Sequence, residues 1–285
     1  MNPLIFVIIS QVVFESLPVS SSGHMILVER LLGRFGMTLP ALPDFFDHFL
    51  HGPTVLLLMI FFRKDWFGLA KGFIEGSFKF IFTGKSKYSF RLLFNLFLKI
   101  VAMVFVADVI TALFYATKNF FHTRYAFFES GVGLLVGFVI TMIVLLSTKF
   151  IDTESNDSQM DFRKAILLGV VQGVTLLPGI SRFATTYVSA LWLGVPVRRA
   201  FQFSFLMACP LFFAGFIFNG LRNMFKVPNF LELFDFSVVV TLVVSSLAAY
   251  ILFYLAYEIA LRKKIYWFGY YMLLPIFVLI LDLLF

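Results

Sequence analysis

The chain has 285 residues, of which 60% are hydrophobic and 14% charged, with a mean hydropathy of +0.94. This excludes an ordinary soluble domain, where about a quarter of residues carry charge, and continuous apolar runs of about 20 residues exclude the short alternating segments of a membrane β-barrel. A net charge of +7 belongs on loops facing anionic lipid headgroups rather than on a nucleic-acid surface, and the lone Cys209 allows no internal disulfide.

The first apolar region, residues 3–34, is broken at its middle by "ESLPVSSSGHM", residues 15 to 25. Its first basic residue is Arg30, so no cleaved leader is expected. Clean spans are predicted at 45–63, 90–117 and 126–148. A second broken region follows at 162–196, interrupted by Pro, Gly, Ser and charge, and then spans at 199–220, 236–260 and 265–285. Each broken region reads as a re-entrant helical hairpin, whose unwound middle is tolerated in a membrane only where it is buried in protein or lines a wet cavity. The predicted fold is therefore an all-α, polytopic membrane protein of one domain, with six transmembrane helices and two re-entrant hairpins.

With three spans between the breaks, fifteen Lys and Arg fall on one side and six on the other. The richer set includes Arg63, Lys64, Lys71, Lys79, Lys85, Lys149, Lys164, Arg198 and Lys264; the poorer is Arg30, Arg34, Lys118, Arg124, Arg222 and Lys226. The positive-inside rule makes the first set cytoplasmic and puts both termini outside. The two hairpins then enter from opposite sides, so the halves 1–150 and 160–285 form an inverted repeat whose broken segments meet near the membrane midplane. A short echo supports it: "QVVFESLPVSSS" from Gln11 and "QGVTLLPGISR" from Gln172 each carry a Pro six or seven residues on and a Ser nine residues on.

The second half of each broken pair begins with unpaired backbone N–H groups at the positive end of a helix dipole, a ready anion site. In the first pair these belong to Ser20, Ser21, Ser22 and Gly23; in the second, to residues around Gly179, Ile180 and Ser181. Arg182 adds a guanidinium fork suited to phosphate oxygens. Gln11 and Glu15 share a helix face, and His24 follows the serines. A carboxylate at membrane depth implies a function or a partner, so Glu15 is either a metal ligand or a proton acceptor, with Arg182 as its counter-charge. Ser21 or a neighbour is a candidate nucleophile activated by His24 or Glu15. Small residues in apolar segments also serve simply to let helices approach, and Glu15 with Arg182 has the alternative of a buried structural pair. His48 and His51, with Asp47, lack a second cluster to complete a metal site, and Asp108 inside a span is expected to make a helix–helix hydrogen bond.

The motif "QVVFESLPVSSSGHMIL" together with "LLPGISR" resembles the undecaprenyl pyrophosphate phosphatase family, integral membrane enzymes that remove one phosphate from the isoprenoid carrier of cell-wall synthesis. Gln11, Glu15, Pro18, Ser20, Ser21, Gly23 and His24 match that family's first motif, with Ser22 for Thr; Pro178, Gly179, Ser181, Arg182 and Thr186 match its second. "FDHFLHGPT" and "FSFLMACP" resemble further stretches of it, so the similarity runs through most of the chain. The resemblance implies six spans, two re-entrant pairs, a bacterial inner membrane location and an active site opening to the outer side. It also implies catalysis by the carboxylates with a divalent cation, Mg²⁺ or Ca²⁺, held here by Glu15 and Gln11, with Arg182 on phosphate. Either the motif Ser or the motif His serves as nucleophile; Ser21 with His24 as acid–base partner is the favoured assignment. Ser20, Ser22, Gly23, Gly179, Ser181, Thr186 and Gln172 are the expected substrate-binding residues. The expected partners are a polyprenyl pyrophosphate, membrane lipids and, for assembly, a second copy of the chain; nucleic acid is not among them.

Phe183 and Ala184 replace the family's Ser-Gly, and Tyr271 stands roughly where it often has Arg. Two rival readings use the same residues. A transporter or flippase would use the same dipole ends to bind a lipid phosphate, but binding alone does not need Glu15, Ser21 and His24. A type 2 phosphatidic acid phosphatase would need His six residues after Arg182, where the chain has Val188.

Overall fold

A computed structural model describes residues 4–37, 45–64, 67–68, 71, 74, 87–117, 127, 130–153, 157–227, 230 and 234–285. They are helical throughout, with no strand among the described residues. Of the basic residues used for the topology, Lys79, Lys85, Lys118 and Arg124 lie outside them.

Each broken apolar region is a pair of short helices joined by a turn. The first pair is α1 (Leu4–Glu15) and α2 (Ser21–Arg34), which pack against each other. α1 stops because Ser16 turns its Oγ back onto the Val13 carbonyl at 2.7 Å and Pro18 has no N–H with which to continue. The second pair is α7 (Phe162–Val174) and α8 (Arg182–Trp192). Thr175 Oγ1 donates to the Gln172 carbonyl at 2.7 Å, Pro178 follows, and Gly179 takes the left-handed conformation at φ +85°, which only glycine adopts without cost. At 11 to 14 residues these helices are about 16–21 Å long, too short for a hydrocarbon core of about 30 Å.

Among the described residues, five helices are long and apolar enough to cross a membrane: Phe94–Ala116, Gly131–Phe150, Val197–Met224, Phe236–Leu261 and Tyr266–Leu284. They contain α5 (Lys87–Ala116), α6 (Gly131–Ser147), α9 (Val197–Ala214), α10 (Phe236–Leu261), α11 (Tyr266–Tyr271) and α12 (Leu273–Leu284). α9 runs on through a π-helical stretch, Gly215–Leu221. The span expected at 45–63 is instead two pieces, α3 (Phe45–Phe49) and α4 (His51–Phe61). Pro53 accounts for the break, because its ring removes the N–H that would bond the Phe49 carbonyl and restarts the helix at His51. Pro275 interrupts the α11–α12 junction in the same way, four residues after Tyr271.

The helices pack in matched pairs. α1 rests on α10 as α7 rests on α5; α2 touches α12 as α8 touches α6; α4 touches α10 as α9 touches α5. α4 meets α9, and α6 meets α11 and α12, across the middle. Phe201, Phe205, Phe253 and Phe61 lock α9, α10 and α4 together edge to face, with ring centroids 4.7 Å apart for Phe205–Phe253 and Phe61–Phe253. Phe183 joins this cluster, 4.2 Å from Phe205. Many further aromatic and aliphatic side chains, such as Phe105, Leu113, Leu247 and Ile251, are exposed on the outer surface, as lipid-facing helices require.

The two turns meet. A Cβ on Gly23 would stand 2.9 Å from Gly179 Cα and 2.5 Å from Phe138 Cε1, so glycine there permits direct contact between the hairpins. α6 braces the second turn: Thr141 Oγ1 donates to the Gly179 carbonyl at 2.8 Å and accepts from Ser181 N at 2.9 Å.

Candidate active site

Both turns open onto one cavity of about 360 Å³. α1 contributes Gln11 and Glu15 to its wall, the first turn Ser20, Ser21 and Ser22, and the second Ser181 and Arg182. The two helix N-termini are built alike. Ser20 caps α2 with φ −72° and ψ 106°, its Oγ accepting from Gly23 N at 3.2 Å; Ser181 caps α8 with φ −73° and ψ 116°, its Oγ accepting from Ala184 N at 3.2 Å. Each cap satisfies one amide and leaves the first amides of its helix, at Ser21 and Ser22 and at Arg182 and Phe183, at the cavity. Two positive dipole ends therefore converge on one space.

Arg182 sits at that convergence. Its guanidinium lies 5.1 Å from the centroid of the Phe212 ring, a cation–π contact that orients it, and its buried Nε has no hydrogen-bond partner among the described residues. A buried donor left unpaired costs about 1–3 kcal/mol, which an incoming phosphate oxygen would recover. Glu15 is buried and held by α4 through Thr54, whose Oγ1 donates to its Oε2 at 2.6 Å; His51 Nδ1 lies 2.7 Å from its Oε1 but outside hydrogen-bond geometry. Glu15 and Arg182 attract each other electrostatically, yet no ion pair joins them.

Among the residues expected at the site, His24 is not part of the cavity lining. It is 3% exposed, with Nδ1 2.7 Å from the Ser20 carbonyl, Nε2 3.2 Å from the Tyr271 hydroxyl, and its ring stacked 4.1 Å from Phe14. Both nitrogens are thus engaged behind the serine turn. Gly23 and Gly179 form the contact between turns rather than the lining. Thr186 is fully buried and bonds back to the Arg182 carbonyl at 2.9 Å. Gln172, also fully buried, donates to Asp108 at 3.1 Å and Thr111 at 3.2 Å, the helix–helix bond expected of Asp108. Phe212 and Thr141 carry no sequence signal beyond an isolated residue inside an apolar run, whereas His51 and Thr54 lie in the family-like stretch "FDHFLHGPT", which by itself gives them no role.

A divalent cation would need oxygen donors, and the Glu15 carboxylate and Gln11 amide both reach the cavity. Ions of the Mg²⁺ type take one or two protein oxygens and complete their shell with phosphate and water, which this donor pair fits. No group of three or more His, Cys, Asp or Glu that could hold a metal exists among the described residues, so a cage made only of such side chains is absent from them.

Fold and cavity together define a multi-pass, all-helical membrane protein with a polar cavity between its two broken helix pairs. The sequence model of the bacitracin resistance protein BacA family matches residues 4–277, and the chain belongs to that family. Among similar proteins, the undecaprenyl-diphosphatase of Christiangramia forsetii is 28% identical over 258 residues, 90% of this chain and 88% of that one. The undecaprenyl-diphosphatase of Desulfosudis oleivorans is 34% identical over 250 residues, 87% and 84% of the two chains, and that of Borrelia recurrentis 29% over 225 residues, 79% and 78%.

Proposed function

We propose that this protein hydrolyses undecaprenyl pyrophosphate, or a closely related polyprenyl pyrophosphate, to the monophosphate and inorganic phosphate. The observation that carries the reading is Arg182, with its buried Nε unpaired, in the lining of the cavity where two helix N-termini and Glu15 converge. The amides of both helices and the guanidinium bind the diphosphate oxygens and oppose the charge that develops as the anhydride bond breaks. The Ser21 hydroxyl attacks the terminal phosphorus and gives its proton to Glu15; the bridging bond breaks and the lipid monophosphate leaves with its electron pair. Water then hydrolyses the phosphoserine and restores Ser21. A divalent cation on Glu15 and Gln11, Mg²⁺ or Ca²⁺, would supply further charge neutralisation on the phosphate oxygens. His24, engaged by Ser20 and Tyr271, holds the serine turn in shape.

The matched helix contacts support the inverted-repeat reading, with halves 1–150 and 160–285 related by the meeting of two re-entrant hairpins. In that arrangement α3–α4 is the sixth span, the site opens to the outer face of the inner membrane and both termini lie outside. Hydrolysis is favoured over transport because the similar proteins are named diphosphatases and because binding alone would not need a serine and a carboxylate in one cavity.

The test is phosphate release from farnesyl or undecaprenyl pyrophosphate by the purified protein, with and without EDTA. Glu15→Ala, Ser21→Ala and Arg182→Ala are each expected to lower turnover by about two orders of magnitude or more. Full activity in any one of them removes that residue from the mechanism, and full activity in all three removes the site.

A further inference from the structure

Glu15 and Arg182 share a cavity and attract each other. Left to themselves, opposite charges in a low-dielectric space close into an ion pair. Such a pair would disable both groups, since the guanidinium would no longer be free for phosphate nor the carboxylate for a proton. They remain apart, and the reason lies on α4. Thr54 and His51, three residues apart and so on one helix face, approach different oxygens of the carboxylate: Thr54 Oγ1 donates a hydrogen bond at 2.6 Å, and the His51 ring abuts the other oxygen, Nδ1 at 2.7 Å but outside hydrogen-bond geometry. The Thr54 bond on one oxygen and the His51 ring packed against the other restrict rotation of the carboxylate about its terminal bond. His51 is itself confined, with its ring 5.1 Å from Phe212 and 5.9 Å from His48. Phe212 is also the ring that carries the Arg182 guanidinium, so one aromatic side chain on α9 spaces the two charged groups.

We propose that His51 is a positioning residue: together with Thr54 it holds the Glu15 carboxylate off Arg182, keeping the guanidinium open for a diphosphate and the carboxylate open for the nucleophile's proton. This rests on the hydrolytic reading above, but its first readout is binding, which does not depend on turnover.

The experiment measures pyrophosphate and farnesyl pyrophosphate binding by titration calorimetry on the purified, detergent-solubilised full chain, alongside kcat and KM for phosphate release. His51→Ala is expected to weaken binding about tenfold or more, the scale of one charge-assisted contact, because Glu15 then closes onto Arg182. Adding Glu15→Gln to His51→Ala is expected to restore binding to near the wild-type value while turnover stays low, since the competing charge has gone. A merely structural His51 would not give that recovery. His51→Gln, whose polar side chain still fills the space beside the carboxylate, is expected to bind more tightly than His51→Ala. Thr54→Val, nearly isosteric, covers the case in which His51→Ala does not fold and is expected to weaken binding in the same direction. Wild-type binding in both His51→Ala and Thr54→Val, or no recovery in the double variant, overturns the proposal. Absence of phosphate release by the wild-type protein would instead overturn the hydrolytic reading and leave the binding comparison intact.

Discussion

Ser21 and His24 are three residues apart on α2, yet they occupy different environments. Ser21 lines the cavity, whereas His24 is buried behind the turn between the Ser20 carbonyl and the Tyr271 hydroxyl. Substitution should separate them. Ser21→Ala is expected to abolish most turnover with unchanged thermal stability, because nothing in the packing depends on its hydroxyl. His24→Ala is expected to lower turnover and stability together, by about 1–3 kcal/mol for a buried group whose partners lose their bonds; thermal unfolding in detergent beside the phosphate assay distinguishes the two. A His next to a serine cluster reads in the sequence as its acid–base partner; the fold adds that an aromatic hydroxyl 247 positions away lies 3.2 Å from its other nitrogen.

The two hairpins and their turns are the elements on which the site depends, and their contact is tight at glycine. Gly23→Ala would place a methyl 2.9 Å from Gly179 Cα and 2.5 Å from Phe138, and is expected to cost about 1–3 kcal/mol by forcing the turns apart, with activity falling further than stability. A full-activity Gly23→Ala enzyme would mean that the turns need not touch. Much of this element scale was legible in the sequence: Pro18 and Pro178, the N-capping Ser20 and Ser181, and the facing Gln11 and Glu15 each act through local chemistry that a short motif displays. What stayed hidden is what arrives from elsewhere in the chain. The brace of Thr141 on Gly179 and the hold of His51 and Thr54 on Glu15 join positions tens of residues apart, and a single polar residue in an apolar span does not announce its partner. Over 45–63 hydropathy likewise records the length of an apolar run but not the helix restart imposed by Pro53.

At the scale of the whole molecule the first hairpin is tied to the end of the chain. Asp282 on α12 accepts from Arg30 Nε at 2.7 Å and pairs with Arg34 on the same helix, α2. With the arginine side chains 35% and 41% exposed, breaking this link by Asp282→Ala is expected to cost on the order of 1–2 kcal/mol after solvent screening, seen as a lower unfolding temperature and a steeper loss of activity on warming. The two-sided arrangement has its own test. In a Cys209→Ser background, a membrane-impermeant maleimide added to intact cells is expected to label Phe285→Cys and not Lys264→Cys; the reverse pattern would turn the molecule over in its membrane.

The central claim is that one diphosphate headgroup is held between the serine turn of the first hairpin and Arg182 of the second. A cryo-EM or crystal structure of the protein with a non-hydrolysable diphosphate lipid analogue tests it most directly. The expected result has phosphate oxygens within hydrogen-bonding distance of the Ser21 and Ser22 amides on one side and of Arg182 Nε on the other. A diphosphate seated elsewhere, with Arg182 Nε still unpaired, would contradict it.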